Sequence, residues 1–258
     1  MPDDIKSLTQ RQFAAHADAY VTAQVHASGY SLNRVIELLD PGPNWRVLDV
    51  ATGGGHTALA VAQRGAWTVS SDLTHAMLLA ARKNHAASGQ PQIVHARLDA
   101  EHLPFAAGRF DAVTCRVAPH HFPDVAQFVR EAARVTRPGG VVAVIDQLSP
   151  GEPKAARYVN AFERLRDPSH NWAYSEVEWK GFFTGADLTV EHYEDFDTHH
   201  ALVPWAERMG CNPATIQRLH AMLAQTPPPV AAWMKPALPA GGEASFVIRQ
   251  FLMIGRKG

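Results

Sequence analysis

Between Val47 and Gln147, short β-branched runs alternate with stretches whose apolar positions recur at helical spacing, the pattern that a parallel sheet with crossover helices produces. The runs predict strands over 46–50, 67–72, 93–98, 110–116 and 141–147. Segments 57–63, 75–88 and 125–136 read as the helices between them, the last with Val125, Phe128, Val129, Ala132, Ala133 and Val135 on one face. Ahead of the first strand, Leu32, Val35, Ile36 and Leu39 form a helical stripe. It stops at Asp40-Pro41-Gly42-Pro43, where two prolines forbid continuation. Further upstream Phe13, His16, Tyr20 and Val25 mark a weaker helix, whose aromatic residues either cover a ligand or dock on the core.

The texture changes after Asp146. Ser149-Pro150-Gly151-Glu152-Pro153 is a cluster of breakers, and the rest of the chain holds 13 of the 22 aromatic residues, so it reads as a cap on the same domain. Within it 154–166 and 175–183 are expected to be helices and Thr226-Pro227-Pro228-Pro229 a stiff loop. Strands over 188–196 and 245–255 pair antiparallel in this reading and extend the sheet to seven. The expected architecture is therefore α/β, a doubly wound, mostly parallel seven-stranded Rossmann-like sheet. N-terminal helices (1–45) cover a cofactor site, 46–148 form the binding core, and 149–258 supply the cap and the last two strands.

Composition narrows the function classes. With 46% apolar and 19% charged residues, and every long apolar run broken by Gly, Pro, His or a charge, neither a disordered chain nor a membrane span fits. The net charge is −1, and residues 1–150 hold 13 acidic and 13 basic residues, so there is no basic body for phosphate-driven nucleic-acid binding. Two cysteines, Cys115 and Cys211, make no disulfide framework, and the start Met-Pro-Asp-Asp-Ile-Lys has acids where a signal peptide has bases. A cytoplasmic protein is expected. The 14 histidines fall in no ligand spacing, so no metal is expected.

The most informative stretch is Val47-Leu48-Asp49-Val50-Ala51-Thr52-Gly53-Gly54-Gly55-His56, a buried strand ending in a carboxylate and running into a glycine-rich turn that opens a helix. Glycine there lets backbone N–H groups approach a ligand and tolerates positive φ. Gly53-x-Gly55-x-x-Ala58 also satisfies the dinucleotide fingerprint, so the loop alone leaves a nicotinamide cofactor open. Asp72 closes the second strand, where a carboxylate can hold both hydroxyls of a ribose; the alternative is a helix-capping Asp before Thr74 and His75. Asp99-Ala100-Glu101 follows the third strand, and Cys115-Arg116 ends the fourth. In open α/β sheets ligands sit beyond the carboxyl ends of the strands, so Gly53, Asp72, Asp99 and Arg116 are expected in one crevice.

Taken in order, Asp49-x-Ala-Thr-Gly-Gly-Gly, Asp72, Asp99-Ala-Glu-x-Leu-Pro-Phe, Phe110-Asp111 and Arg137-Pro-Gly-Gly resemble the motifs of class I S-adenosylmethionine-dependent methyltransferases, in particular the ubiquinone/menaquinone-biosynthesis type. Arg164-Leu165-Arg166-Asp167-Pro168-Ser169-His170 resembles a bacterial branch of that family with no assigned substrate. The resemblance implies S-adenosyl-L-methionine as cofactor and a small-molecule methyl acceptor. It places Asp49, Ala51, Thr52, Gly53 and Gly55 at the methionyl part, Asp72 at the ribose, and Asp99, Ala100 and Glu101 at the adenine, flanked by Leu73 and Met77. Tyr20 and Arg116 complete the expected cofactor contacts. Ala51 departs from the glycine of many members. The charges agree, because this cofactor carries a cationic sulfonium and ammonium and no phosphate.

His120 and His121, on the loop after the fourth strand, are the candidate catalytic residues, since histidine accepts a proton near neutral pH. They can equally line the pocket or bond backbone. Cys115 reads as a buried small hydrophobe. His199-His200 and the run from Glu191 to Asp197 read as a solvated sheet face, and Arg164, Arg166, His170, Trp172 and Tyr174 either wall an acceptor pocket or make surface ion pairs. Two rival functions are an NAD(P)-dependent oxidoreductase, although no Tyr-x-x-x-Lys pair is present, and a non-catalytic S-adenosylmethionine-binding regulatory protein. The loop after the fourth strand, Arg116-Val117-Ala118-Pro119, also lacks the Asn/Asp-Pro-Pro-Tyr/Phe signature of base methylation.

Overall fold

The computed structural model describes residues 5–22 and 29–258, with side chains for 5–15 and 29–258. The expected His16, Tyr20 and Val25 contacts lie outside the described side chains. The first half of the chain runs α1 (Ile5–Thr22), α2 (Tyr30–Leu39), β1 (Arg46–Val50), α3 (His56–Gln63), β2 (Trp67–Asp72), α4 (His75–Ala87), β3 (Val94–Arg97) and β4 (Phe110–Arg116). A 3₁₀ turn (Pro119–His121), α5 (Val125–Val135), β5 (Thr136–Gln147), α6 (Pro153–Arg166) and α7 (Glu176–Thr184) follow. The chain then completes β6 (Leu188–Ala201), α8 (Leu202–Glu207), α9 (Pro213–Ala224), α10 (Pro228–Met234) and β7 (Ser245–Lys257).

The seven strands lie in the order β3-β2-β1-β4-β5-β7-β6. All pairs from β3 to β5 are parallel, and β7 is antiparallel to both β5 and β6. Strand order reverses between β1 and β4, which opens a crevice at their carboxyl ends where ligands of such sheets sit. Because both faces of the central strands are covered, they are apolar throughout. One face packs Leu48, Val113, Phe128, Trp179 and Phe251 beneath α5 and α7, and the other packs Val35, Val47, Val61, Ala143 and Leu252 beneath α2 and α3. The stripe on α2 is buried as expected, and the helix ends at Asp40 in a left-handed conformation.

The cap has a core of its own, built from Val159, Phe162, Leu202, Trp205, Leu219 and Phe246. Its helices α8, α9 and α10 are not among the elements expected from the sequence. The run Thr226-Pro227-Pro228-Pro229 is not the stiff loop expected, since Pro228 and Pro229 form the first turn of α10. Proline is favourable there because the first-turn N–H groups lack intrahelical partners. Strand β5 also starts earlier than expected, at Thr136, which pairs with Phe110 across a register shift. The Phe110-Asp111 and Arg137-Pro-Gly-Gly motifs meet here: Arg137 Nε donates to Asp111 Oδ1 at 2.6 Å, and Asp111 Oδ2 accepts the Arg46 N–H at 2.7 Å.

Gly255 on β7 lies under α7, where an added Cβ would stand 2.6 Å from Phe183 Cδ1 and 3.1 Å from Leu188 Cβ. Phe183 and Leu188 are themselves buried, so neither can swing away. Gly255→Ala is expected to cost about 1–3 kcal/mol of stability, the usual range for overpacking, read as a lowered midpoint in urea with unchanged slope.

Candidate active site

A cavity opens at the carboxyl ends of β1, β2 and β4, under α1. Of the residues expected at the cofactor, Ala51, Thr52, Gly53, Asp72, Leu73, Met77, Asp99, Ala100, Glu101 and Arg116 line it. Asp49 and Gly55 do not. Asp49 is buried one layer down, where its Oδ1 accepts from Thr114 Oγ1 at 2.7 Å and its Oδ2 from Thr52 Oγ1 at 2.5 Å. Burial pushes its carboxyl up, against these hydrogen bonds and the nearby Arg116. Asp49 thus shapes the loop by anchoring Thr52. Ala51 adopts positive φ (52°), as do Gly53 (55°) and Gly55 (82°), so the tight turn is a property of the whole loop.

Asp72 lines the cavity, and it is not the cap of α4, whose N-cap is Thr74. Its Oδ1 accepts the Thr74 N–H at 2.8 Å, at the entrance of α4, and its Oδ2 accepts the Gly53 N–H at 3.0 Å. Burial pushes its carboxyl up to about 6, opposed by those backbone donors. The Thr74 hydroxyl is a third donor to the carboxylate, which keeps acceptor capacity for a ligand hydroxyl. Asp99 and Glu101 share the ammonium of Lys6 on α1, at 2.6 and 2.5 Å. Glu101 Oε1 also accepts the Asp124 N–H at 2.6 Å, which ties this side of the cavity to the start of α5. Arg116 donates from Nε to Thr57 Oγ1 at 3.0 Å, and burial lowers its pKa to about 10 despite the charge of Asp49.

The two candidate histidines part company. His121 lines the cavity; His120 does not. The 3₁₀ turn that carries them is pinned by Asp146 at the end of β5, whose Oδ2 accepts the His120 N–H at 2.7 Å and whose Oδ1 meets His120 Nδ1 at 2.6 Å. Burial pulls the His120 pKa down, but Asp146 outweighs it and the net shift is upward. His121 Nδ1 donates to the Ser169 carbonyl at 3.0 Å, which leaves Nε2 as the unprotonated nitrogen. Burial and the neighbouring His120, with ring centroids 4.2 Å apart, lower its pKa to about 4, so it is neutral at physiological pH. Phe13 of α1 meets the His121 ring edge-on at 5.0 Å.

Sequence reasoning missed Lys6, Thr9, Val117, Phe122 and Pro123, which also line the cavity. Of the α1 residues at the cavity, only Phe13 belongs to the stripe expected from the sequence; Lys6 and Thr9 precede it on the same helix. None of Arg164, Arg166, His170, Trp172 and Tyr174 lines the cavity. Arg164 donates to the carbonyls of His170 and Asn171, Arg166 to that of Trp205, and His170 meets Asn160 Oδ1 at 2.8 Å. They bind the cap together. Cys115 is fully buried, and burial raises its thiol pKa well above the ordinary value. The β6 histidines differ from each other: His199 is exposed, whereas His200 packs against Trp205 and Phe246, and burial lowers its pKa to about 4.

Residues 48–144 match the model of a methyltransferase domain. The chain is 34% identical over 198 residues to the uncharacterized methyltransferase YcgJ of Bacillus subtilis (strain 168), a match that covers 77% of this chain and 78% of that protein. The chain belongs to the methyltransferase family. The crystal structure of B. subtilis YcgJ superposes with a TM-score of 0.85 at 30% identity over 88% of this chain and 98% of that one. A structure of BH2331 from Bacillus halodurans C-125 gives 0.85 at 34% identity over 89% and 99%. The demethylmenaquinone methyltransferase of Mycolicibacterium vanbaalenii is 40% identical over 114 residues, 44% of this chain and 47% of that protein. The seven-stranded sheet is that of class I methyltransferases, and the cofactor of that family is S-adenosylmethionine. Among the described residues no helix is long and apolar enough to cross a membrane, and no group of three metal-ligating side chains comes together.

The residues at the cavity fit that cofactor. Its ribose hydroxyls need an acceptor, and the Asp72 carboxylate in the cavity wall is one. A pyrophosphate needs free N–H groups on the glycine loop, but the Gly53 N–H is already bonded to Asp72 and the Gly55 N–H to the Thr52 carbonyl at 2.9 Å.

Proposed function

We propose that this chain transfers a methyl group from S-adenosylmethionine to a small-molecule acceptor. The observation that carries the reading is the buried Asp72 carboxylate, which occupies the Gly53 N–H and lines the cavity as an acceptor. Asp72 holds the ribose hydroxyls, Asp99 and Ala100 meet the adenine, and Leu73 and Met77 pack on its faces. When bound, the cofactor supplies a methyl group already activated for displacement. The protein's own task is then alignment and exclusion of water, with a base where the acceptor carries a proton. His121 is the candidate for that group: the Nδ1–H bond to Ser169 leaves the lone pair on Nε2, and Asp167 Oδ2, 4.0 Å from Nε2, offsets part of the burial and His120 repulsion that hold the ring near pKa 4. Helix α1 closes the cavity through Lys6 and Phe13.

The wall beside His121 is apolar, formed by Phe13, Val117, Ala118, Phe122 and Pro123. It favours a flat, mostly apolar acceptor with one polar reacting atom. A quinol of the menaquinone type fits that chemistry, supported by the match of the binding core to demethylmenaquinone methyltransferases. The test is formation of S-adenosylhomocysteine with a panel of quinols, phenols and catechols. Acceptor-dependent product is expected. Tight cofactor binding without turnover on any acceptor class would favour a non-catalytic binding protein instead.

A further inference from the structure

Three polar side chains behind the glycine loop belong to none of the roles assigned so far. Asn84 and His85 are consecutive on α4 and reach consecutive carbonyls of the loop. Asn84 Nδ2 donates to the Gly54 carbonyl at 2.9 Å, and His85 Nε2 meets the Gly55 carbonyl at 2.8 Å. His85 is fully buried, and its Nδ1 lies 2.9 Å from Nε2 of the half-buried His95 on β3. The approach is close enough to require glycine: a Cβ at Gly55 would fall 2.3 Å from His85 Nε2.

The protons in this chain are set by its end. A carbonyl only accepts, so His85 Nε2 carries hydrogen; burial, with His95 and His56 nearby, lowers the pKa of His85, so the ring is neutral and Nδ1 is an acceptor. His95 Nε2 is then the donor. Burial and Arg82 lower the pKa of His95, against a backbone hydrogen bond at Ile93 that raises it. The hydrogen bonds run one way, from His95 to His85 to Gly55.

Gly55 is the N-cap of α3, and its carbonyl also accepts the Leu59 N–H at 2.9 Å. Holding that carbonyl's second lone pair fixes the peptide plane that follows it, and the first-turn N–H groups of α3 point the opposite way. That side is the cavity, which Gly54 and His56 line. We infer that His85, aided by Asn84 and held in one tautomer by His95, is a positioning residue for the cofactor loop. This rests on the reading of the cavity as the S-adenosylmethionine site.

The test pairs a tautomer measurement with a rescue. In ¹⁵N-histidine spectra at pH 7.5, with signals assigned by loss in H85Q and H95A, His85 is expected as the Nε2–H form and His95 to carry hydrogen on Nε2. His85 as Nδ1–H would overturn the inference whatever the stability of the variants. By titration calorimetry with S-adenosylhomocysteine, His85→Leu is expected to bind at least tenfold more weakly. His85→Gln, whose amide supplies one donor and one acceptor, is expected to return to within threefold of the unaltered chain. His95→Ala should weaken binding two- to fivefold. A folded His85→Leu that binds within twofold, or a His85→Gln as weak as His85→Leu, would overturn it. If the unaltered chain bound no S-adenosylhomocysteine, the reading of the cavity would fail instead, and the tautomers would still report on the hydrogen-bonded chain.

Discussion

In Asp72→Ala the affinity for S-adenosylhomocysteine is expected to fall at least a hundredfold. That is about 2.7 kcal/mol, the scale of one to two hydrogen bonds to a charged acceptor, each worth roughly 1.5–3 kcal/mol. Two further effects act in the same direction. The substitution releases the Gly53 N–H and the Thr74 N–H, so the loop and the start of α4 lose their shared anchor. The Asp72→Asn variant separates the effects, because its amide keeps one acceptor and loses the charge; an intermediate loss is expected. The same carboxyl sets a pH dependence. Burial raises it to about 6, so it is the ionised acceptor above pH 7 and becomes protonated as pH falls through 6. Affinity should be flat from pH 7 to 9 and weaken below 6, approaching tenfold per pH unit, measured by calorimetry across that range. A flat profile down to pH 5 would contradict the assignment, as would an Asp72→Ala variant that binds within twofold.

His121→Ala is the second large effect. If Nε2 accepts the acceptor's proton, kcat should fall by roughly 10², the low end of a positioned base's usual contribution because a ring with pKa near 4 is a weak base, while cofactor affinity stays within about threefold. The contrast is His120→Ala. His120 reaches the same turn but meets Asp146 rather than the cavity. Its removal leaves a buried carboxylate with only a backbone donor, a change that typically costs about 3–5 kcal/mol. His120→Ala is therefore expected to show first as a lowered unfolding midpoint, and His121→Ala as lost turnover in a protein of near-normal stability. Because His121 is already neutral, with a pKa near 4, the acid limb near pH 6 should appear in kcat/KM for the cofactor and not in kcat. Equal loss of turnover in both variants at equal stability would contradict the division of roles.

Much of this arrangement was legible in the sequence because it rests on local rules. Alternating β-branched runs and 3.6-residue stripes located the strands and helices of the core, since burial on both faces leaves them no freedom to be polar. Asp72 and the glycine loop were readable because a strand end, a carboxylate and a positive-φ turn imply a ligand at the sheet's switch point. What was not legible depended on long-range partners. Lys6 is an ordinary helix residue until Asp99 and Glu101 meet it. His120 and His121 are indistinguishable as neighbours in sequence, and only the position of Asp146 on β5 shows which of them turns away from the cavity. His85 gave no signal at all, because its role depends on His95 ten residues later and on a carbonyl thirty residues earlier. In the cap, α8 and α10 are only 6 and 7 residues long, too short for a helical stripe to stand out, and α9 buries only Leu219 and Leu223.

The most direct test of the central claim is calorimetric titration of the purified protein with S-adenosylhomocysteine, run beside NADH. One-to-one binding of S-adenosylhomocysteine in the micromolar range, with no heat from NADH, is the expected result. Binding of NADH alone would contradict the account, because the Gly53 and Gly55 N–H groups would then have to leave Asp72 and Thr52 for a pyrophosphate.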